Sequence, residues 1–267
     1  MNSNAEDLLQ AGDLSSALES VQSQIRDDPA KAELRTCLFQ LLCISGDWER
    51  ALTQLNVVAD MDNDALLMAQ TYRELLRCEA YRAEVFAGNR APLLFGEPGD
   101  WVGRMVQSLG ASGVGDGASA KLGNNAALEL APACSGLIDE TPFQWLGDAD
   151  MRLGPIFEIV LNGKYYWVPT ENIAEMTISE PEDLRDLVWI GVQVRWLNEG
   201  NSIGFMPVRY PDSALSDDNA IVLSRKTQWK DIGKEFFIGE GQRMFASDEN
   251  DHPLLETRRI VFNQESG

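Results

Sequence analysis

Gly12-Asp13-Leu14-Ser15-Ser16-Ala17-Leu18 returns 34 residues later as Gly46-Asp47-Trp48-Glu49-Arg50-Ala51-Leu52. A period of 34 is that of tetratricopeptide (TPR) helix–turn–helix repeats. The match extends outward, pairing Leu8 with Leu42 and Val21 with Leu55. A further step carries Leu42 to Leu76, but Ala80 stands where the third Gly would fall, so the third unit is degenerate. Asp13 and Asp47 carry carboxylates suited to accept from the free N–H groups of a helix start. Leu14, Ala17, Leu18, Val21 and Ile25 follow at helical spacing, and Trp48, Ala51, Leu52, Leu55 and Ala59 repeat it. Each helix therefore has one apolar face. Pro29 closes the first unit, and Leu34, Cys37, Leu38, Leu41 and Leu42 form the stripe of the next helix. A long helix is predicted over about 64–87, with Leu66, Ala69, Tyr72, Leu76 and Ala80 inward and Gly88-Asn89 as its stop.

Beyond the repeats the punctuation changes. Residues 91–99 are a turn-rich break, and Asp100 is placed to cap a helix carrying Trp101, Val102, Met105, Val106 and Leu109. Four glycines within 110–117 predict a flexible loop, and 118–133 a further helix. After about residue 150 the period becomes 2. Residues 156–161 and 164–169 flank Asn162-Gly163, the signature of a type I′ hairpin. Residues 188–197 and 202–210 form a second hairpin, and 220–224, 235–245 and 256–262 are weaker strand candidates. The fold class expected is α+β. A TPR-like helical repeat domain (1–109) and a linker with a helix (110–136) precede a β-rich, mainly antiparallel α+β domain (137–267).

Composition narrows the function. The 267 residues carry 22 basic and 42 acidic side chains, a net charge of −20, with one histidine. Nucleic-acid affinity rests on Lys and Arg neutralising phosphates, so a nucleic-acid partner is excluded, and an anionic membrane surface for the same reason. A basic partner is favoured. The single His252 rules out multi-histidine metal sites, and it sits in the polar stretch 247–253, where a solvated loop is expected. Cys37, Cys43, Cys78 and Cys134 form no C-x-x-C motif and are expected to be free thiols in a reducing compartment. The polar stretch 1–7 has neither a basic n-region nor an apolar h-region, so no signal peptide is expected, and no run approaches the length of a membrane span. A cytoplasmic protein without a cofactor or metal is expected.

Asp148-Ala-Asp150-Met-Arg152 is the most site-like cluster. Carboxylates at i and i+2 share one side of an extended segment and could act as acid and base or hold a cation. Arg152 opposes this, because it can pair with them and keep them ionised. A carboxylate-based or metal-dependent hydrolase centred on Asp148 and Asp150 is therefore the alternative function, and a structural ion-pair network the expected one. Gly239-Glu-Gly241-Gln-Arg243 has half of a dinucleotide fingerprint without a βαβ unit around it. Arg185, Arg195, Arg209, Arg225 and Arg243 recur through the strand region, often beside Trp or Tyr, and are expected to pair with its acids. Glu171, Glu175, Glu180, Glu182, Asp183 and Asp186 make an acidic stretch, read as a solvated face, with docking of a basic segment as the alternative.

Taken together, a series of motifs resembles the ImpE family, the TagJ or SciE-type proteins of the bacterial type VI secretion system. It begins with Tyr81-Arg-Ala-Glu-Val-Phe-Ala-Gly88, Leu94-Phe-Gly-Glu-Pro98 and Trp101. It continues through Pro142-Phe-Gln-Trp145, Asp148-Ala-Asp150, Arg152-Leu-Gly-Pro155 and Gly163-Lys-Tyr-Tyr-Trp-Val-Pro169. Asp183-Leu-Arg-Asp-Leu-Val-Trp189, Pro207-Val-Arg-Tyr-Pro211, Ser224-Arg-Lys-Thr-Gln-Trp229 and Gly239-Glu-Gly-Gln-Arg243 complete it. The resemblance implies an accessory protein without known catalytic activity. It implies binding of the N-terminal helix of the small contractile-sheath subunit, TssB/VipA, and an influence on sheath handling by the ClpV unfoldase. Inward positions of the repeat helices, Arg35, Phe39 and Tyr72, are then one candidate place for contact with the partner helix, and a cleft between the two domains is the other. Asp148, Asp150, Arg152, Arg209, Tyr210, Arg225, Trp229 and Arg243 form the structural or interaction cluster.

Overall fold

The computed structural model describes residues 3–263. Met1 and Asn2 of the polar N-terminal stretch, and residues 264–267 of the expected β-rich domain, lie outside them. Five helices open the chain: α1 (Ser3–Gln10), α2 (Leu14–Asp27), α3 (Ala32–Ile44), α4 (Trp48–Met61) and α5 (Leu66–Phe86). The Asp13 carboxylate accepts from Ser16 N at 2.9 Å and that of Asp47 from Arg50 N at 3.3 Å, so both repeated aspartates cap a helix. Ala17, Val21 and Ile25 are buried on α2, and Ala51, Leu55 and Ala59 on α4, as their spacing predicts, whereas Leu18 and Trp48 are half-buried and Leu52, at the margin of its stripe, is exposed. On α5, Leu66 and Ala80 are exposed instead, while Leu75, Cys78, Arg82, Val85 and Phe86 are buried. The hairpin 156–169 covers that arc of the helix, so the sheet and not the repeat period decides its inner face.

Helices α6 (Asp100–Gly113) and α7 (Gly117–Leu128) follow. The loop expected over 110–117 shrinks to three residues, and its glycines let the helix ends pack closely on Ala87 and on the 232–233 segment. A side chain at Gly113 would lie 2.6 Å from the Ala87 backbone, and one at Gly117 2.6 Å from Gly233 O. Gly99, not Asp100, holds the cap position of α6.

The strands form a nine-stranded sheet. In spatial order its strands are 93–94, 164–169, 156–161, 201–207, 189–196, 173–178, 259–262, 136–138 and 141–143. All neighbours are antiparallel except the first pair. The expected mainly antiparallel β-rich part is therefore present. Asn162 and Gly163 turn the first hairpin with φ of +49° and +69°. Residues 220–224, expected as a strand, begin instead as the short helix Asn219–Val222, because the Asp218 side chain caps Ala220 N at 2.9 Å. The 235–245 segment is two strands, 237–241 and 244–247, and the strand 173–178 runs through the stretch read as a solvated acidic face. Its inward side chains Ile173, Met176 and Ile178 are buried, and Glu175 faces out between Arg195 and Arg259.

Two apolar clusters hold the molecule. One joins the helices to the outer face of the sheet through Ile156, Val160, Tyr165, Trp167 and Trp189. The other lies between the large sheet and a three-stranded sheet (146–148, 244–247, 251–253), with Phe157 and Phe245 rings 4.9 Å apart.

The β-rich part grips the two repeated turns at equivalent atoms. Arg225 donates to Leu9 O and Gln10 O at the end of α1, at 2.6 and 3.0 Å. Arg209 donates to Cys43 O and Ile44 O at the end of α3, at 3.2 and 2.6 Å. Those carbonyls are 34 residues apart, as are the Gly-Asp turns that follow them. Guanidinium groups suit helix C-termini, where carbonyls lack partners and the dipole is negative. The turns also offer a test. Gly12 and Gly46 have φ of +83° and +73°. A Cβ at Gly12 meets nothing within 4 Å, but one at Gly46 would stand 2.7 Å from Ala214 Cβ. Gly12→Ala is expected to cost about 1–2 kcal/mol from the backbone alone. Gly46→Ala should cost more, by the displacement of the 213–215 turn, and paired urea denaturation curves will show the difference.

Candidate functional site

The motif residues converge on one buried ionic network. Residues 156–161 are buried on both faces, so Glu158, alternating with Ile156 and Val160 toward the helices, enters with its charge fully enclosed. An enclosed carboxylate needs donors. Arg82 of α5 supplies two, from Nε to Oε1 at 2.6 Å and from a terminal nitrogen to Oε2 at 3.0 Å. Tyr165 OH donates to Oε1 at 2.5 Å and itself accepts from Trp167 Nε1 at 2.8 Å. Arg243 bridges the remaining distance, pairing with Glu158 on one terminal nitrogen and Asp148 on the other. Its Nε donates to Pro207 O at 2.9 Å.

Asp148 and Asp150 are saturated in the same way. Asp148 Oδ1 accepts from Tyr210 OH and from Asp150 N, each at 2.9 Å. Asp150 Oδ1 accepts from Arg152 N and Nε at 2.9 Å. Its Oδ2 accepts from a terminal nitrogen of Arg152 at 2.6 Å and from Gly239 N at 2.7 Å. Gly239 lies under the Tyr210 ring with no room for a side chain. The Gly239–Arg243 motif is thus the seat of the network, and the backbone of Gly241 donates to Ser213 Oγ at 2.8 Å. Both carboxylates are enclosed, Asp148 at 5% and Asp150 at 0% exposure, and each oxygen meets a donor.

Electrostatics follow from enclosure. Burial alone would raise the Glu158 carboxyl, but Arg82 and Arg243 outweigh it and hold the group at about 2. For Asp148 burial prevails over Arg243, and the carboxyl rises to about 6. Burial lowers Arg209 to about 10, since its guanidinium meets carbonyls instead of a carboxylate. The signs predict pH dependence. Glu158 ionises more easily folded than unfolded, so its stabilisation is complete above about 4.5 and is lost as pH falls toward about 2. Asp148 acts oppositely, its share being present below 3.8 and lost as pH rises through about 6. Urea midpoints measured from pH 2.5 to 8 should fall on the acid side, and Glu158→Gln should flatten that limb.

The other candidates are distributed. Trp229, partly exposed, stands 5.7 Å from the Tyr210 ring, and Arg225 holds α1 as described. Phe39 is sealed and meets Tyr72 edge-on at 5.6 Å. Tyr72 is itself covered by Trp189 and Phe205, with the Arg185 guanidinium 4.8 Å from its ring. Arg35 donates to Gln54 Oε1 at 3.1 Å across to α4. His252 lies on the strand 251–253 instead of in a loop, its Nε2 3.3 Å from Ser247 Oγ. That hydroxyl is committed to the turn, accepting from Glu249 N and Asn250 N. All four cysteines are free; Cys37, Cys43 and Cys78 are buried, which raises their thiols. Among the described residues no group of His, Cys, Asp and Glu is arranged to hold a metal, and no helix is long and apolar enough to cross a membrane.

Sequence reading missed Arg82 and Glu158. Both carried a signal: a lone acid in the apolar run Ile156–Leu161, and an arginine on the same arc of α5 as Cys78, Val85 and Phe86.

A large opening lies elsewhere. A cleft of about 1100 Å³ opens between the helices α1–α3 and the turn 181–187, whose 184–187 part packs on α3. Val21, Leu34, Cys37, Leu184 and Leu187 line it, with Glu6, Glu33, Glu182, Asp183 and Lys31 among its polar residues. Arg35, Phe39 and Tyr72 do not. Helix α3 is apolar nearly all round, so its pattern does not say which face stays open.

The family described as ImpE protein matches residues 140–261. The type VI secretion system accessory component TagJ of Pseudomonas aeruginosa is 42% identical over 258 residues, covering 97% of this chain and 90% of that protein. The crystal structure of protein VPA1032 from Vibrio parahaemolyticus superposes with a TM-score of 0.89 at 28% identity, covering 98% of each chain.

Proposed function

This chain belongs to the ImpE family, with TagJ among its relatives, and from that membership we propose that it is a non-catalytic accessory protein of a type VI secretion system. It works as an adaptor that binds the N-terminal helix of the small sheath subunit, TssB/VipA, and so influences how ClpV handles the sheath. The two capped helix pairs are read as TPR-like units serving this role. The supporting observation is a contrast within the structure. The carboxylates able to do chemistry are consumed by arginines and backbone donors, while the open volume is walled by helices. A hydrolase would need the reverse.

The test is direct. A labelled peptide of the small sheath subunit's N-terminal segment is titrated into the full-length protein by fluorescence anisotropy. Binding with a Kd of tens of micromolar or tighter is expected, about −6 to −8 kcal/mol. Absence of binding at low salt overturns the adaptor reading.

A further inference from the structure

We propose that the cleft between α1–α3 and the 181–187 turn is the docking site of a short, basic amphipathic helix, about two turns long. This rests on the adaptor reading above and adds to it the place, the length and the chemistry of the occupant.

The length follows from volume. A helix with side chains is about 10–12 Å across and rises about 1.5 Å per residue. The 1100 Å³ of the cleft therefore holds roughly seven to nine residues, about two turns. Helical form follows from the walls. These are α-helices and the 3₁₀ turn Leu184–Leu187, whose backbone groups are engaged internally. An extended segment would find no sheet edge there and would leave its own N–H and C=O groups unpaired, whereas a helix satisfies its own. The cleft floor is apolar, from Val21, Leu34 and Cys37, and Leu184 and Leu187 form the facing wall. This fits an apolar face of residues at i, i+3, i+4 and i+7.

Charge follows from the rim. Glu33 on the α3 side and Glu182 on the opposite wall are both exposed. Lys31 is the one basic residue among those lining the cleft. Lysines or arginines flanking the apolar stripe of the occupant would meet a carboxylate on either side. A second copy of this chain is disfavoured by the same field, since each copy carries −20. Pairing of Asp183 with Arg185 at 2.5 Å, and of Arg185 with the Tyr72 ring, fixes the turn that makes the second wall.

The experiment uses the full-length protein and the labelled sheath-subunit peptide. The double variant Glu33→Lys/Glu182→Lys is compared with the control reversal Glu84→Lys/Glu129→Lys, both acids exposed and outside the cleft. At low salt the cleft reversal is expected to weaken binding at least tenfold and the control less than twofold. A peptide with its basic residues changed to glutamate should regain affinity for the cleft reversal. Equal binding by wild type and cleft reversal overturns the proposal while leaving the adaptor reading intact. Failure of the wild type to bind overturns both. Dimerisation of the wild type, seen by sedimentation and abolished by the cleft reversal, overturns it in favour of a second copy.

Discussion

Replacing Arg243 by alanine is expected to destabilise the protein by about 3–5 kcal/mol, the usual cost of breaking a buried ion pair from one side. Arg243 is fully enclosed and bridges Asp148 to Glu158. Its removal leaves Asp148 with uncharged donors and takes one of the two guanidinium groups from Glu158. The loss should therefore grow with pH above the range in which Asp148 ionises. Arg243→Lys is expected to recover only part, because one ammonium cannot reproduce the planar fork that reaches two carboxylates and Pro207 O at once. Chemical denaturation at pH 5 and pH 8 checks both statements, and an Arg243→Ala variant as stable as wild type at pH 8 contradicts them.

A second large effect is expected at Arg209. Its guanidinium serves Cys43 O, Ile44 O and Val222 O, and the Arg209 carbonyl accepts from Arg82 at 2.9 Å. Arg209→Ala leaves Ile44 O and Val222 O without this donor, while Cys43 O keeps Gly46 N, and should cost about 3 kcal/mol, at roughly 1–3 kcal/mol per unsatisfied group with partial relaxation. Arg225→Ala removes the same chemistry from the equivalent turn at an exposed position. There water replaces the lost donor, and the expected cost is below about 1 kcal/mol. Hydrogen exchange should locate the Arg209→Ala damage at the end of α3. A global loss with α3 unaffected would refute the role given to Arg209.

Much of the fold is legible in the residues because its signals are short-range. The capping aspartates act over three residues. The helical stripes act within two turns, and Asn162-Gly163 sets its hairpin within one. The strands that the sequence leaves hidden have no such local signal. The strand 93–94 exists because Tyr166 and Trp167 pair with it. The strand 173–178 is disguised by outward acids. The helix at Asn219–Val222 has apolar residues that fit a strand equally well, and its cap decides.

The site divides in the same way. Asp148, Asp150, Arg152, Arg209, Tyr210 and Arg243 stood out by residue type, and Asp150–Arg152 pairs two residues apart, within reach of a local argument. The guanidinium groups on Glu158 and Asp148 come from residues 76, 85 and 95 positions away, and Arg209 reaches carbonyls 165 and 166 positions away.

By itself the sequence determined most of the element types, the repeat of 34 residues, the net acidity and the exclusion of a multi-histidine site. Tertiary structure alone decided which charges are enclosed and which face of α3 stays open. The reason is physical. Periodicity tells a helix that it has an apolar side. What covers that side, and whether an arginine there finds a carboxylate or water, depends on a partner strand far along the chain.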